Sequence, residues 1–171
     1  SDVVTFLVGQ HTKRAFGESL EVVLLVHSPG GAVSVYGLAA SQIARLRDVG
    51  IETTVCVDKI AASGGYMMAS QATRILAAPF AAGGSIGVVM DTLNFNKILK
   101  TYGVQPLHLT AGEHKNLIST FGEVTDTGMK EQQKQLDQMH RAFIDFCISN
   151  RPDLNETVCD GSVLFGAEAQ K

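Results

Sequence analysis

The amino-acid sequence predicts an α/β domain in which strands and helices alternate. Three observations carry that expectation. Val22-Val23-Leu24-Leu25-Val26 is a continuous apolar run of strand length, the pattern of a parallel strand buried on both faces. Two small-residue loops, Ser28-Pro29-Gly30-Gly31 and Ala62-Ser63-Gly64-Gly65, each lead from a strand-like run into a run at helical spacing. A long amphipathic stretch further on sets Met129, Leu136, Met139, Phe143 and Phe146 on one helical face.

The elements follow in order. Asp2 stands as a capping residue before Val3, Val4, Leu7 and Val8, which fits a helix start. The β-rich composition of the same residues leaves a strand as the alternative. Glu21 to His27 makes the first strand of the alternating series. Tyr36, Ala39, Ala40, Ile43 and Leu46 fall at helical spacing, and Gly50 ends that helix. Thr53 to Val57 is the next strand, leading into the serine elbow and a helix over Tyr66 to Ala72. Arg74 to Ala77 reads as a short strand and Pro79 to Gly84 as a loop. Ser85-Ile86-Gly87-Val88-Val89 is a second small-residue turn, and Asn94 to Tyr102 a helix. Val104 to Thr110 alternates like a strand, with Pro106 interrupting it. A helix from about Thr127 to Ser149 is closed by Pro152.

Composition narrows the function classes. The chain has 171 residues, 45% of them hydrophobic, so a single domain over 1–171 with its own core is expected. The net charge of −3 and the lack of any basic run argue against a nucleic-acid surface. No apolar run reaches the length of a membrane span. Without an initiator methionine or signal pattern, the chain reads as an excised piece whose anchor or signal went with the missing ends. Cys56, Cys147 and Cys159 lack metal-ligand spacing and read as structural thiols; no metal and no cofactor is expected.

Ser63 is the candidate nucleophile. Its alanine and glycine neighbours let the backbone turn sharply, and a strand-to-helix elbow presents a hydroxyl beside free backbone N–H groups. The plainer alternative is a tight turn that uses small residues for packing. A serine needs a base. The histidines are His11, His27, His108, His114 and His140, and none falls in a triad-like motif. Lys115 follows a strand end and a glycine, but a lysine serves as base only in its neutral form. From the residues alone, a solvated surface lysine is the simpler reading. The loops Ser28–Gly31, Ser63–Gly65 and Gly83–Gly87 match no phosphate-binding pattern. Loops after parallel strands do converge at one sheet edge, where the N–H groups of Gly30, Gly31 and Gly64 could form an oxyanion hole.

Several ordered stretches carry a resemblance. They are Ser28-Pro29-Gly30-Gly31, Tyr36-Gly37-Leu38-Ala39-Ala40-Ser41-Gln42, Val57-Asp58-Lys59, and Ala62-Ser63-Gly64-Gly65-Tyr66-Met67-Met68-Ala69. They continue with Ala78-Pro79-Phe80-Ala81, Gly84-Ser85-Ile86-Gly87-Val88-Val89, Asn94-Phe95-Asn96 and Thr110-Ala111-Gly112-Glu113-His114-Lys115. A weaker match covers Gly161 to Ala169. With these residues the chain resembles the signal peptide peptidase A (protease IV) family of serine peptidases, and most closely its SohB branch.

The resemblance implies a Clp protease/crotonase-like superhelical fold of repeated β-β-α units. It implies a Ser–Lys dyad, with Ser63 as nucleophile, Lys115 as general base and Ser85 as the hydroxyl that orients the lysine. Gly30, and with it Gly31 and Gly64, falls at the oxyanion positions. The implied substrates are signal peptides and other short or unfolded polypeptides near membranes. The implied assembly is a homo-oligomeric ring in which neighbouring protomers share each dyad. The family also has a strand before the helix at Asp2, often a membrane anchor, and a strand beyond Lys171. The chain is therefore expected to be trimmed at both ends, soluble itself, from a membrane-associated protein with an extracytoplasmic catalytic domain in a periplasm or organelle. Two other readings compete. A Clp-like peptidase would place a histidine base within 85–90, which reads Ser-Ile-Gly-Val-Val-Met. A non-catalytic scaffold or membrane-complex subunit would keep the fold without the chemistry.

Overall fold

A computed structural model describes residues 2–13, 20–112 and 115–170. His114 lies outside the described residues. The chain forms α1 (Asp2–His11), β1 (Glu21–Leu25), α2 (Val33–Asp48), β2 (Glu52–Val57), β3 (Ile60–Ala62), α3 (Gly64–Ala69), β4 (Arg74–Ala77) and β5 (Ala82–Gly84). It continues through α4 (Asn96–Thr101), α5 (Asp126–Ile148) and β6 (Val163–Phe165). Two compact units result: residues up to Gly87 together with those from Ala142 onward, and Val88–Arg141.

Among the described residues, the first unit holds two small sheets. β1, β2 and β4 lie side by side in that order, all parallel. β3 pairs with β5 in parallel, and β6 closes that second sheet antiparallel to β5. Threonine and valine in β2 suit a pleated surface. Thr53 and Thr73 fix its register against β4: each backbone N–H donates to the other's hydroxyl, at 3.2 and 2.9 Å. The inward face of the sheet presents Val55 and Val57 to Ile43 of α2 and Ala69 of α3. On its other side α3 packs through Met67 against Phe143, Ile144 and Cys147 of α5. Helix α3 is thus enclosed between the sheet and α5. Burying each large aliphatic side chain there contributes roughly 1.5–3 kcal/mol.

The structure corrects the expectation that β1 is buried on both faces. Val23 and Leu25 are 63% and 70% exposed, because β1 is an edge strand covered on one face only among the described residues. On the open face Glu21 of β1 accepts hydrogen bonds from the Thr54 hydroxyl (2.8 Å) and from Arg74 (3.0 Å), joining all three strands. Those partners, Thr54 foremost, hold its carboxyl below the usual carboxylate range. The stretch read as a loop over Pro79 to Gly84 contains β5, and β3 intervenes between β2 and the serine. Three-residue strands rich in alanine and glycine carry no alternation to read. Val104 to Thr110 is irregular rather than a strand, consistent with Pro106 lacking a ladder donor. In α5 the buried face runs through Phe143, Ile144 and Cys147, whereas Met129 and Met139 are exposed.

In the second unit, Asn94 and Asn96 grip one loop. Asn94 Nδ2 donates to the carbonyls of Ser119 (2.7 Å) and Gly122 (2.9 Å), and Asn96 Nδ2 to that of Phe121 (2.7 Å). The Phe95 N–H adds a bond to the Thr120 carbonyl at 2.8 Å.

Candidate active site

Ser63 follows β3 and precedes α3, with φ 52° and ψ −122°. A non-glycine residue with positive φ is strained by its Cβ, at a cost of order 1–3 kcal/mol, and persists only where its surroundings enforce it. Here the enforcement is visible. The Ser63 N–H donates to the Gly84 carbonyl (2.9 Å), and the Met67 N–H donates to the Ser63 carbonyl (2.9 Å). One end of the residue is tied to the sheet and the other to the helix.

Close approach of three glycines completes the elbow. A Cβ at Gly30 would lie 2.6 Å from Ser63 Cβ and 2.8 Å from the Gly64 nitrogen. A Cβ at Gly64 would meet the Tyr36 ring at 2.4 Å, and one at Gly65 the Ser28 carbonyl oxygen at 2.4 Å. The Ser28–Gly31 loop is therefore pressed directly on the start of α3. The Gly30 N–H donates to Ser28 Oγ at 3.2 Å. Gly64 opens α3, so its N–H lies ahead of any intrahelical acceptor. With six residues α3 has a small macrodipole, and individual N–H groups matter more than its field.

Ser85 is a second strained serine, at φ 51°. It follows β5 as Ser63 follows β3, and the last residues of those strands, Ala62 and Gly84, are register partners. The two serines therefore stand as neighbours at the carboxyl edge of one sheet. The Ser85 N–H donates to the Ser162 carbonyl at 2.6 Å. Of the residues singled out from sequence, the first unit brings together Ser63, Ser85, Gly30, Gly31 and Gly64. Lys115 belongs to the second unit and is exposed, its N–H donating to the Gly112 carbonyl at 3.2 Å. His27 is exposed at the end of β1, and His108 Nε2 pairs with Asn116 Nδ2 at 3.0 Å.

An apolar cavity of about 550 Å³ opens in the first unit, walled by Val57, Ala61, Tyr66, Ile75, Ala78 and Ala82 among others. Among the described residues its one ionisable lining group is Tyr66, whose phenol burial pushes up to about 12. The lining suits apolar contact rather than proton transfer.

Sequence reasoning missed Tyr36 and the Ser28 hydroxyl. Tyr36 falls at the helical spacing of α2, and its hydroxyl pairs with Ser28 Oγ at 2.8 Å. The available signal was a serine two residues before a glycine, a pattern in which the hydroxyl often accepts the downstream N–H.

An α/β fold of parallel strand pairs, with a strained serine set among glycines, defines the class; comparison with known proteins supplies the family. The model of Peptidase family S49 matches residues 45–171. A probable protease SohB of Haemophilus influenzae is 47% identical over 150 residues, covering 87% of this chain and 42% of that protein. Two more proteins named probable protease SohB, from Buchnera aphidicola, are each 48% identical. That of subspecies Schlechtendalia chinensis aligns over 153 residues, 89% of this chain and 50% of its own length. That of subspecies Acyrthosiphon pisum aligns over 151 residues, 87% and 45%. The chain belongs to peptidase family S49. It spans about half the length of these relatives or less. No helix among the described residues is long and apolar enough to cross a membrane.

Proposed function

We propose that this chain is the catalytic part of a serine endopeptidase in which Ser63 attacks the peptide bond and Lys115 is the general base. The observation that carries the reading is the Ser63 backbone, held at φ 52° and ψ −122° with Gly30 against its Cβ. Strain of this kind clusters at functional sites, and here it falls on a half-buried serine between a strand and a helix.

The chemistry runs in two halves. Neutral Lys115 Nζ takes the Ser63 proton as Oγ bonds to the substrate carbonyl carbon, and the carbonyl oxygen becomes an oxyanion. N–H groups of the Gly30-Gly31 loop and of Gly64 stabilise that charge. Because the Gly30 N–H is directed at Ser28 Oγ, Gly31 and Gly64 are the donors best able to turn to it. As the C–N bond breaks, the lysine ammonium returns its proton to the leaving amine. Water then attacks the acyl-enzyme, giving a proton to Lys115; that proton returns to Ser63 Oγ as the acid leaves. Ser85, beside Ser63 at the sheet edge, orients the lysine. Loss of one oxyanion donor would cost about 3–4 kcal/mol of barrier.

The same reading extends to the whole protein. The chain is one peptidase domain built on a superhelix of β-β-α units. It acts on signal peptides and other short or unfolded polypeptides at a membrane, from an extracytoplasmic face. Protomers assemble as a ring, with the Lys115 of one serving the Ser63 of its neighbour.

The test is labelling of the full-length protein with a serine-directed phosphonate, followed by peptide mapping. Modification of Ser63, with turnover abolished in folded Lys115→Ala protein and rising from pH 6 to pH 9, is expected. Labelling elsewhere, or full turnover without Lys115, would sink the dyad.

A further inference from the structure

The Ser28 loop and the Ser63 elbow come from different parts of the chain, and one side chain touches both. Tyr36, in the first turn of α2, places its hydroxyl 2.8 Å from Ser28 Oγ. Its ring lies where a Cβ on Gly64 would sit, at 2.4 Å, and against the α-carbon of Gly31, whose Cβ would meet it at 2.9 Å. We infer that Tyr36 is a positioning residue, holding the Gly31 and Gly64 peptides at a fixed separation beside Ser63. The inference rests on the serine-peptidase reading given above.

The connections around Ser28 explain how the hold is transmitted. The Ser28 N–H donates to the Ile60 carbonyl (2.9 Å), and its carbonyl accepts from the Ala62 N–H (3.0 Å), so its backbone is fixed to β3. What remains free to rotate is the hydroxyl. A hydroxyl has one proton and two lone pairs. Ser28 Oγ accepts the Gly30 N–H at 3.2 Å, and the Tyr36 hydroxyl pairs with the same oxygen at 2.8 Å. Ser28 is buried, so water competes poorly for that oxygen. Fixing Oγ fixes the Gly30 N–H, which sets the plane of the loop and the direction of the next N–H, that of Gly31. The ring supplies the second half of the restraint. It fills the space left by two absent side chains, so neither glycine loop can close on the other or swing away. Oxyanion donors act through preorganisation, and an error of an ångström in their placement lowers the chemical step more than substrate binding.

Double-mutant kinetics on the full-length protein, with a peptide substrate, decides the matter. Tyr36→Phe keeps the ring and deletes the hydroxyl. It is expected to lower kcat about tenfold with KM nearly unchanged, the signature of an interaction realised in the transition state. Ser28→Ala should act similarly. The double variant should be no worse than the weaker single variant, because both delete one shared contact. Tyr36→Leu removes the ring as well and should lose about a hundredfold. Phosphonate labelling of Ser63 should slow in the same order, at melting temperatures near wild type for Tyr36→Phe. A wild-type kcat in Tyr36→Phe, strictly additive losses, or a kcat that falls only with the folded fraction would each overturn the role of Tyr36. Turnover surviving in Ser63→Ala, with Tyr36 untouched, would instead overturn the serine-peptidase reading itself.

Discussion

Gly30 and Ser63 meet so closely that a methyl group at position 30 would sit 2.6 Å from Ser63 Cβ. The two residues lie on different loops, and their contact joins the end of β1 to the start of α3. Gly30 also holds φ 100°, a conformation that L side chains rarely adopt.

Gly30→Ala is therefore expected to injure the site twice. The strained backbone and the clash should cost about 2 kcal/mol of stability. The displaced elbow should slow Ser63 labelling by about a hundredfold in the protein that remains folded. Thermal melting and the labelling rate, measured on the same preparation, check both parts. A variant labelled at the wild-type rate would mean that the loop contact does not position the serine.

Ser63→Gly should make the protein more stable while abolishing turnover. Glycine at φ 52° and ψ −122° relieves the Cβ strain, and relief should exceed the extra chain entropy by about 1 kcal/mol. Ser63→Ala keeps a Cβ and should show no such gain. A melting temperature higher for the glycine variant than for both the alanine variant and wild type is the expected result. Equal melting temperatures for glycine and alanine would mean that the elbow stores no strain.

The parts of this fold legible in the sequence are those with a long period or a strong terminator. Helix α2 was bounded by Tyr36 to Leu46 and Gly50, and α5 by its amphipathic stripe and Pro152; the structure gives Val33–Asp48 and Asp126–Ile148. β3 and β5 escaped notice because Ile60-Ala61-Ala62 and Ala82-Gly83-Gly84 are too short and too small to show a pattern. The partial exposure of β1 escaped because an apolar run reports hydrophobicity, not whether a second layer exists to cover it. The strand-to-helix elbow at Ser63 was visible through its small neighbours. Tyr36 was hidden, since an aromatic residue at helical spacing has the same appearance whether it fills the core or clamps two loops. The strain at Ser63 and Ser85 is a backbone property that side-chain types do not encode.

Stability should fall at alkaline pH. Burial pushes the Cys147 thiol from an ordinary 9.0 up to about 11, and the Tyr66 phenol from 10.0 up to about 12. Both groups are neutral when protonated, and both hold their proton more tightly in the folded chain. The unfolded chain loses these protons first as pH rises. The stabilisation is complete below about pH 9, declines from there, and is gone once pH passes about 11 for the thiol and about 12 for the phenol, each on the order of 2 kcal/mol. Melting temperatures across pH 8 to 11 should drop less steeply in Cys147→Ala than in wild type, although the variant starts lower at neutral pH. Parallel curves would show that Cys147 does not contribute to the decline.

The amide of Gln71 ties the end of α5 to the helix that Ser63 opens. Gln71 is fully buried (0% exposed), and its Nε2 donates to Ser70 Oγ at 2.9 Å and to the Phe146 carbonyl at 3.3 Å. Its Oε1 accepts from Asn150 Nδ2. Arg151 adds bonds from its guanidinium to the carbonyls of Ala72 and Thr73. Leucine at position 71 would preserve the volume but take the acceptor from the Asn150 amide and one donor from the Phe146 carbonyl, which keeps the Ser149 hydroxyl at 2.8 Å. Each buried group left without a partner costs about 1–3 kcal/mol. Gln71→Leu should therefore lower the melting temperature by about 5–10 °C. Its kcat per folded molecule should remain at the wild-type value at low temperature, because the clamp lies at the far end of α3 from Ser63. A kcat that fell together with stability would instead mean that the seat of α3 against α5 sets the geometry of the elbow.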